Sequence, residues 1–124
     1  MFPIIDIFNA TLGESLLRYR LERLPAALDR AAQFGADGAM FPWTSTQTGY
    51  GTTTQPINST CAKGSGCNGL GWLDLHVTGD IAMAFRLHWR ATHDLAFLRN
   101  SFPLINATAA FWASRLVKHP GSGN

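Results

Sequence analysis

Residues 77 to 90, VTGDIAMAFRLHWR, carry the clearest periodic pattern in this chain of 124 residues. Side chains that suit a buried helical face recur at the spacings i, i+3, i+4, i+7 and i+8, namely Ile81, Ala84, Phe85, His88 and Trp89. Met83 and Leu87 widen this stripe, so polar side chains are confined mainly to Arg86 and Arg90. Because the helix is apolar around most of its circumference, we expect it to lie between other helices and not on a surface.

Two further helices are predicted before this one. The stretch from Gly13 to Leu24 has a broad apolar stripe and stops at Pro25, a residue that breaks a helix interior but is tolerated in a first helical turn. A second helix is therefore predicted from Pro25 to Phe34, with Gly35 as its cap. The residues expected on the buried sides of the two helices are Leu16, Leu17, Tyr19, Leu21, Leu24, Ala27, Leu28, Ala31 and Phe34.

The two ends of the chain carry weaker signals. Residues 1 to 12 form an apolar lead-in, in which Pro3 and Asn9 argue against one continuous helix. Near the other end, Asp94 is interpreted as the cap of a short turn and Pro103 as the residue that opens a last helix. No alternating strand pattern occurs, so the sequence predicts an all-α fold of about four helices.

A long segment without helical or strand periodicity, residues 35 to 74, precedes the helix at 77 to 90. Such a connection in a compact domain is usually functional, and the alternative is a disordered insertion, especially over residues 51 to 71. Its first part, GAMFPWTSTQTGY at 38 to 50, places Trp43 beside a run of hydroxyl and amide side chains. An indole flanked by hydroxyls suits a sugar, whereas the alternative is that Phe41 and Trp43 plug the end of a helical bundle.

Three motifs, in this order, resemble the central domain of glycoside hydrolase family 65: FPWTS followed by TGY at 41 to 50, LDLHVTGDIAMAF at 73 to 85, and FWASR at 111 to 115. The resemblance implies a part of an (α/α)6 barrel, which is a toroid of six inner and six outer helices. Twelve helices with their connections need on the order of 250 to 400 residues. Residues 1 to 124 are therefore expected to form a partial catalytic domain, with an active-site loop and with the N- and C-terminal parts of the family's chain missing.

Four residues are predicted to bind substrate on the basis of this resemblance. Trp43 matches the tryptophan of the family's FPW motif, and His76 and Asp80 match its HxxxDIA pattern. Asp74 stands two residues before the histidine, where many members have a glutamate, so its side chain has a shorter reach. From the residues alone, Asp74 and Asp80 bracket a helix start whose amides favour negative charge, and Asp80 need do no more than complement the helix dipole.

The function that the resemblance implies is that of an inverting α-glucoside hydrolase, similar to trehalases or to glucosylgalactosyl-hydroxylysine glucosidases, acting on a small carbohydrate. Two alternatives are an inverting disaccharide phosphorylase and a catalytically inactive carbohydrate-binding piece. The family's general acid, a glutamate in a motif similar to PDEYH, has no counterpart here, so no catalytic residue is assigned. We expect the chain alone to be inactive and to need the remainder of its own catalytic domain.

The composition argues against other classes of partner. The formal net charge is +2 and the ten Lys and Arg residues are spread along the chain, so no basic stripe for nucleic acid is present. No apolar run approaches the roughly 20 residues of a membrane-spanning helix, and MFPIIDIF at the start lacks a basic leader, so neither a membrane span nor a signal peptide is predicted. We predict no cofactor and no metal site.

Cys61 and Cys67 lie in a Gly- and Ser-rich loop with five residues between them, a spacing that allows a small disulfide-closed loop in an oxidising compartment. A metal site at these cysteines would need further ligands. Three sequons make Asn9, Asn58 and Asn106 candidate glycosylation sites. Together these features favour a secreted or vacuolar protein, whereas free cysteines would indicate the cytoplasm.

Overall fold

A computed structural model describes residues 2–51 and 74–116 of the chain. These two ranges contain five helices and no β-strand, apart from an isolated bridge between Ser45 and Gly51. The helices are α1 (Phe2–Phe8), α2 (Ala10–Glu22), α3 (Leu24–Gln33), α4 (His76–Thr92) and α5 (Leu95–Arg115). The prediction of an all-α fold is confirmed, and the arrangement is consistent with a part of an (α/α)6 barrel.

The N-terminal segment forms a short helix of its own, Phe2–Phe8, which the sequence did not predict. Pro3 lies in the first turn of α1, where its missing N–H costs no intrahelical hydrogen bond. The interruption expected at Asn9 is confirmed, because its side-chain oxygen accepts a hydrogen bond of 3.0 Å from the Leu12 N–H and caps α2. With this cap, α2 begins at Ala10, earlier than the predicted start at Gly13.

The predicted break at Pro25 is confirmed. α2 ends at Glu22 and α3 begins at Leu24, with Pro25 in its first turn. Beyond the end of α3, Gly35 adopts the left-handed conformation, with φ of 65°.

Burial of the first helices follows the predicted stripe only in part. Leu17, Ala27 and Ala31 are buried, but Leu16 and Leu28 are 44% and 42% exposed, so their predicted burial is wrong. Among the described residues, α2 packs against α1, α3 and α4, whereas α3 packs against α2 and α5. Leu16 and Leu28 lie on helix sides that these neighbours leave uncovered.

α4 lies between other helices, as its sequence predicts, and packs against α1, α2 and α5. Its Phe85 ring is stacked on Phe97 of α5, with ring centroids 5.7 Å apart. The buried residues of α4 are Val77, Thr78, Ile81, Phe85 and His88. Of these, Val77, Ile81 and Phe85 meet Leu17 of α2, Leu104 of α5 and Phe41 from the loop after α3 in one hydrophobic core.

A buried polar pair joins α1 to α4. Asp6 Oδ1 and His88 Nδ1 are 2.5 Å apart, and the two residues are only 5% and 2% exposed. Gly13 of α2 packs against the Asp6 carboxylate so closely that a Cβ atom there would overlap it. The periodic pattern identified His88 as a buried residue, but it gave no indication of this partner.

α5 is one helix, and the prediction that Pro103 opens it is wrong. Asp94 is the N-cap, because its Oδ1 accepts hydrogen bonds from the Ala96 and Phe97 N–H groups at 2.8 and 3.1 Å. Pro103 is exposed inside the helix, where proline costs about 3 kcal/mol. Burial of the opposite face offsets this cost; its members are Phe97, Ser101, Leu104, Ala107, Thr108 and Phe111.

Within residues 2–51 and 74–116, none of the helices combines the length and the hydrophobicity that a bilayer crossing requires.

Candidate functional site

The segment after α3 is attached to three helices by hydrogen bonds from its backbone N–H groups. The N–H groups of Ala39 and Met40 donate to the carbonyl oxygens of Ala107 in α5 and Ala27 in α3, each at 2.9 Å. The next N–H, that of Phe41, donates to the Thr78 hydroxyl of α4 at 3.0 Å. Three successive donors are therefore satisfied by acceptors on α5, α3 and α4, which fixes the backbone of this segment in place.

Gly38 permits this close approach to α5. Its φ is 72°, in the left-handed region that side chains disfavour. A Cβ atom at this position would overlap the Ala107 carbonyl oxygen and lie 2.5 Å from the Phe111 nitrogen. The glycine expected from the sequence to allow a turn therefore also brings two backbones together.

The two aromatic rings of the FPW motif have different environments. Phe41 is 1% exposed and belongs to the core, and Pro42 is buried as well. Trp43 is 53% exposed, and its ring contacts His76 edge-to-face, with centroids 5.5 Å apart and an interplanar angle of 65°. The alternative in which both rings plug the end of a bundle therefore applies to Phe41 but not to Trp43.

His76 opens α4 and lies between two carboxylates. Its Nδ1 is 3.9 Å from Asp74 Oδ1, and its Nε2 is 4.0 Å from Asp80 Oδ2. The side chains of His76 and Asp80 are 55% and 75% exposed, so these contacts are long and solvated and add little stability. The structure thus brings together all four residues of the predicted substrate-binding set, which we call the Trp43 cluster: Trp43, Asp74, His76 and Asp80.

The part of the loop beyond Trp43 folds into a turn that α2 holds. The Thr46 N–H donates to the Tyr50 carbonyl and the Gly49 N–H donates to the Thr46 carbonyl, each at 2.9 Å. The Tyr19 hydroxyl of α2 donates to the Thr46 carbonyl at 2.7 Å and lies 2.7 Å from the Ser45 hydroxyl. The hydroxyl-rich run next to the indole is therefore ordered and has direct contacts with α2.

Two ionisable groups that secure this turn have shifted pKa values. Arg20 Nη1 donates to the Ser45 hydroxyl at 3.1 Å, and burial lowers the pKa of the Arg20 guanidinium. The Tyr50 hydroxyl donates to Asp29 Oδ2 of α3 at 3.0 Å. This hydrogen bond, with the negative charge of Asp29, raises the pKa of Tyr50 above its ordinary value of 10.0.

A match to a family model shows which protein family this chain belongs to. The model of the glycosyl hydrolase family 65 central catalytic domain matches residues 1–122. The chain belongs to glycoside hydrolase family 65. The predicted resemblance is thereby confirmed, and with it the assignment to a family of carbohydrate-acting enzymes.

Curated relatives in family 65 carry more than one activity in their names. A kojibiose hydrolase of Flavobacterium johnsoniae is 38% identical over 96% of this chain and 16% of its own length. A protein-glucosylgalactosylhydroxylysine glucosidase of Gallus gallus is 33% identical over 94% of this chain and 15% of its own length. A kojibiose phosphorylase of Escherichia coli is 34% identical over 95% and 16%, respectively. The chain therefore spans about one sixth of the length of these relatives.

The carboxylates of this family 65 chain are all within the described ranges, and six of the eight lie outside the Trp43 cluster. Asp6 contacts His88, and Asp29 accepts a hydrogen bond from Tyr50. Glu14 pairs with Arg18, and Glu22 pairs with Arg23. Asp94 caps α5, and Asp37 is exposed just before Gly38. Asp74 and Asp80 remain, on either side of His76. No further carboxylate of the chain lies in the cluster.

A groove of about 390 Å³ lies beside the cluster, between α2 and α4. Its lining is mostly apolar, and Tyr19, Arg20 and Asp80 contribute to it. Asp80 therefore borders both the groove and His76, and a ligand in contact with Asp80 has room on the α2 side.

Sequence reasoning missed two residues that support the cluster, Tyr19 and Thr78. Tyr19 was assigned to the apolar stripe of α2, although its hydroxyl needs a hydrogen-bond partner once it is partly buried. Thr78 is fully buried in the first turn of α4, and a buried hydroxyl likewise implies a partner. In both cases the residue type gave a signal, but the identity of the partner depended on the fold.

Several predicted features are not tested by the structure. Cys61, Cys67 and Asn58 lie outside the described residues, so the disulfide and one glycosylation site stay predictions. Asn9 and Asn106 are exposed, the first as the cap of α2 and the second inside α5, and their glycosylation also stays a prediction. Within the described part of the chain, no group of three or more His, Cys, Asp or Glu side chains is placed to hold a metal ion.

Proposed function

We propose that this chain forms part of the sugar-binding wall of an inverting hydrolase that acts on an α-linked glucosyl disaccharide or glycan. The observation that carries the proposal is the Trp43 cluster, in which an exposed indole lies 5.5 Å from an imidazole that is flanked by two carboxylates. A ring face suits the C–H surface of a sugar, and carboxylate oxygens suit its hydroxyls.

Each member of the cluster has a distinct part in this proposal. Trp43 stacks against the apolar face of the glucosyl ring, since its indole is exposed on a segment whose backbone is fixed. Asp74 and Asp80 accept hydrogen bonds from sugar hydroxyls. His76 lies between them, and each ring nitrogen donates or accepts according to the tautomer. The gaps of 3.9 and 4.0 Å leave these groups free to turn towards a ligand.

In the proposed reaction, a carboxylic acid protonates the leaving oxygen, and water attacks the anomeric carbon from the opposite face while a general base of the complete protein takes a proton from that water. We place that acid outside this chain, because the glutamate motif of the family, which is similar to PDEYH, has no counterpart in residues 1 to 124. General acid catalysis typically contributes about 10²- to 10⁴-fold in rate. The 124-residue chain alone is therefore expected to show no measurable turnover.

Hydrolysis is preferred because a kojibiose hydrolase and a glucosylgalactosylhydroxylysine glucosidase are among the relatives, at 38% and 33% identity. A kojibiose phosphorylase at 34% identity supports a second candidate, in which phosphate replaces water as the nucleophile. Both reactions use the same glucosyl-binding wall, so the Trp43 cluster is compatible with either. Dependence of the activity on phosphate separates them.

The test compares Trp43→Ala with Trp89→Ala in the complete protein, using an α-glucosyl disaccharide such as kojibiose. Trp89 is a matched control, because it is also partly exposed but lies near the other end of α4, about 20 Å along the helix axis from His76, where its ring contacts His93. Loss of the Trp43 ring contact is expected to weaken substrate handling by roughly 1 to 3 kcal/mol, or about 5- to 150-fold in kcat/KM. An equal loss in both variants would contradict the assignment of Trp43 to the substrate site.

Proton NMR of the first product identifies the reaction. Release of β-glucose in buffer without phosphate is the expected result. Strict dependence on phosphate would move the protein to the phosphorylases. Sugar binding without turnover by the complete protein would support the inactive carbohydrate-binding alternative.

A further inference from the structure

The buried hydroxyl of Thr78 connects the loop of Trp43 to the helix of His76. Thr78 lies in the first turn of α4, midway in sequence between His76 and Asp80, and its exposure is 0%. Its Oγ1 accepts a hydrogen bond of 3.0 Å from the backbone N–H of Phe41. Since both partners are buried, water cannot replace this bond without a local opening of the loop.

This hydrogen bond differs from the other two anchors of the loop. Ala39 and Met40 donate to main-chain carbonyls, on α5 and α3. The acceptor for Phe41 is a side chain, and it belongs to the same helical turn as the polar residues of the Trp43 cluster. Of the three anchors, this one therefore connects the loop directly to the helix end that carries His76 and Asp80.

Little freedom separates the anchor from the indole. The Phe41 ring is 1% exposed in the core, and the following residue, Pro42, is buried and has a fixed φ. Trp43 comes next, with its ring centroid 5.5 Å from that of His76. The position of the Phe41 nitrogen relative to Thr78 thus determines where Trp43 stands relative to His76.

We propose that Thr78 is a positioning residue that sets the spacing between Trp43 and His76. It does not contact the sugar itself. Its effect on sugar binding rests on the proposed function, whereas its effect on the spacing of the two rings does not. The two effects are measured separately.

The structural test uses Thr78→Val, which keeps the shape of the side chain and removes the hydrogen-bond acceptor. Thr108→Val is the matched control, because Thr108 is buried to 2% exposure and its hydroxyl donates to Ile105 within α5. Amide exchange of Phe41 is expected to accelerate about 10- to 100-fold in Thr78→Val, since the buried N–H loses its partner. The Thr108→Val variant is expected to keep the Phe41 exchange rate of the original protein.

A second readout follows the rings themselves. The proton shifts of the His76 imidazole depend on the position of the Trp43 indole, so they are expected to change in Thr78→Val and to return in Thr78→Ser. Where Thr78→Val fails to fold, Thr78→Ala and Thr78→Ser give the same comparison, because they differ by the hydroxyl oxygen alone. Unchanged Phe41 exchange and His76 shifts without the hydroxyl, or equal changes in Thr108→Val, would overturn the proposal.

The sugar test uses D-glucose as the probe. Loss of the Thr78 hydroxyl is expected to weaken glucose binding several-fold, and in the complete enzyme to raise KM while kcat changes little, with rescue by Thr78→Ser. Glucose affinity that falls in Trp43→Ala but stays unchanged in Thr78→Val would overturn the role of Thr78 at the site. Absence of glucose binding by the original protein would refute the proposed function, and the ring-spacing result would still decide the structural part.

Discussion

Replacing Gly38 by alanine tests how the loop of Trp43 is attached to α5. The backbone at Gly38 has φ of 72°, and a Cβ atom would overlap the Ala107 carbonyl oxygen and lie 2.5 Å from the Phe111 nitrogen. Both obstacles are main-chain atoms of one helix, so they cannot rotate away. The left-handed conformation costs an alanine about 1 to 2 kcal/mol, and the forced separation adds about 1 to 3 kcal/mol.

Gly35→Ala provides the matched control for this substitution. Gly35 has a similar φ of 65°, but no atom of the described residues lies within 4 Å of a Cβ atom built there. Its replacement is expected to lower the free energy of unfolding by about 1 to 2 kcal/mol, from backbone strain alone. The expected loss for Gly38→Ala is about 2 to 5 kcal/mol, and it also weakens the hydrogen bond between Ala39 and Ala107.

Urea unfolding of both variants, followed by circular dichroism, measures the difference. Native-state exchange of the Ala39 amide shows whether the loop has left α5. Equal losses of stability in the two variants, with an unchanged Ala39 amide, would refute the reasoning that backbone contact with α5 requires a glycine at position 38.

Three further substitutions test other contacts. Asp6→Ala leaves the buried His88 without its carboxylate partner, so the free energy of unfolding is expected to fall by about 1 to 3 kcal/mol. A double-mutant cycle with His88→Ala should show coupling between the two residues, and additive losses would contradict a direct interaction. Arg30 is 3% exposed, its Nε and Nη2 have no hydrogen-bond partner among the described residues, and burial lowers its pKa. Arg30→Met is therefore expected to leave the melting temperature unchanged or to raise it. A large fall in the melting temperature would show that the guanidinium stabilises the fold. Because the pKa of Tyr50 is raised, its bond to Asp29 is fully present below pH 10.0 and is lost as pH rises through the pKa of Tyr50 in the folded protein. Absorbance titrations, with Tyr50→Phe as the reference that identifies the Tyr50 signal, should show a lower Tyr50 pKa in Asp29→Asn. An unchanged pKa would contradict the role of Asp29 in raising it.

Helices could be predicted where local pattern and burial agree. The stripe of α4 repeats at helical spacing because neighbouring helices cover it on several sides. Pro103 misled the prediction, because the preference of proline for a first turn is weaker than burial of the face that carries Leu104 and Phe111. α1 was missed because seven residues are too few for a helical period to stand out.

The candidate site could be predicted only through the motif resemblance. Nothing in local spacing places Trp43 beside His76, because their contact depends on how the loop crosses α3, α4 and α5. The same holds for Asp6 and His88, which are 82 residues apart along the chain. Hydrogen-bonded pairs of this kind are set by tertiary packing, which a single sequence does not display.

The bond between Ala39 and Ala107 is the anchor of the Trp43 loop that forms last while the chain is being synthesised. A nascent chain emerges from its N-terminus, so Trp43, His76 and Asp80 are all made before Ala107, whose carbonyl accepts from Ala39. Until α5 has been made and has docked, this segment has only its bonds to α3 and α4. The bond between Phe41 and Thr78 therefore sets the spacing of the cluster first, and the bond between Ala39 and Ala107 fixes the preceding residues afterwards.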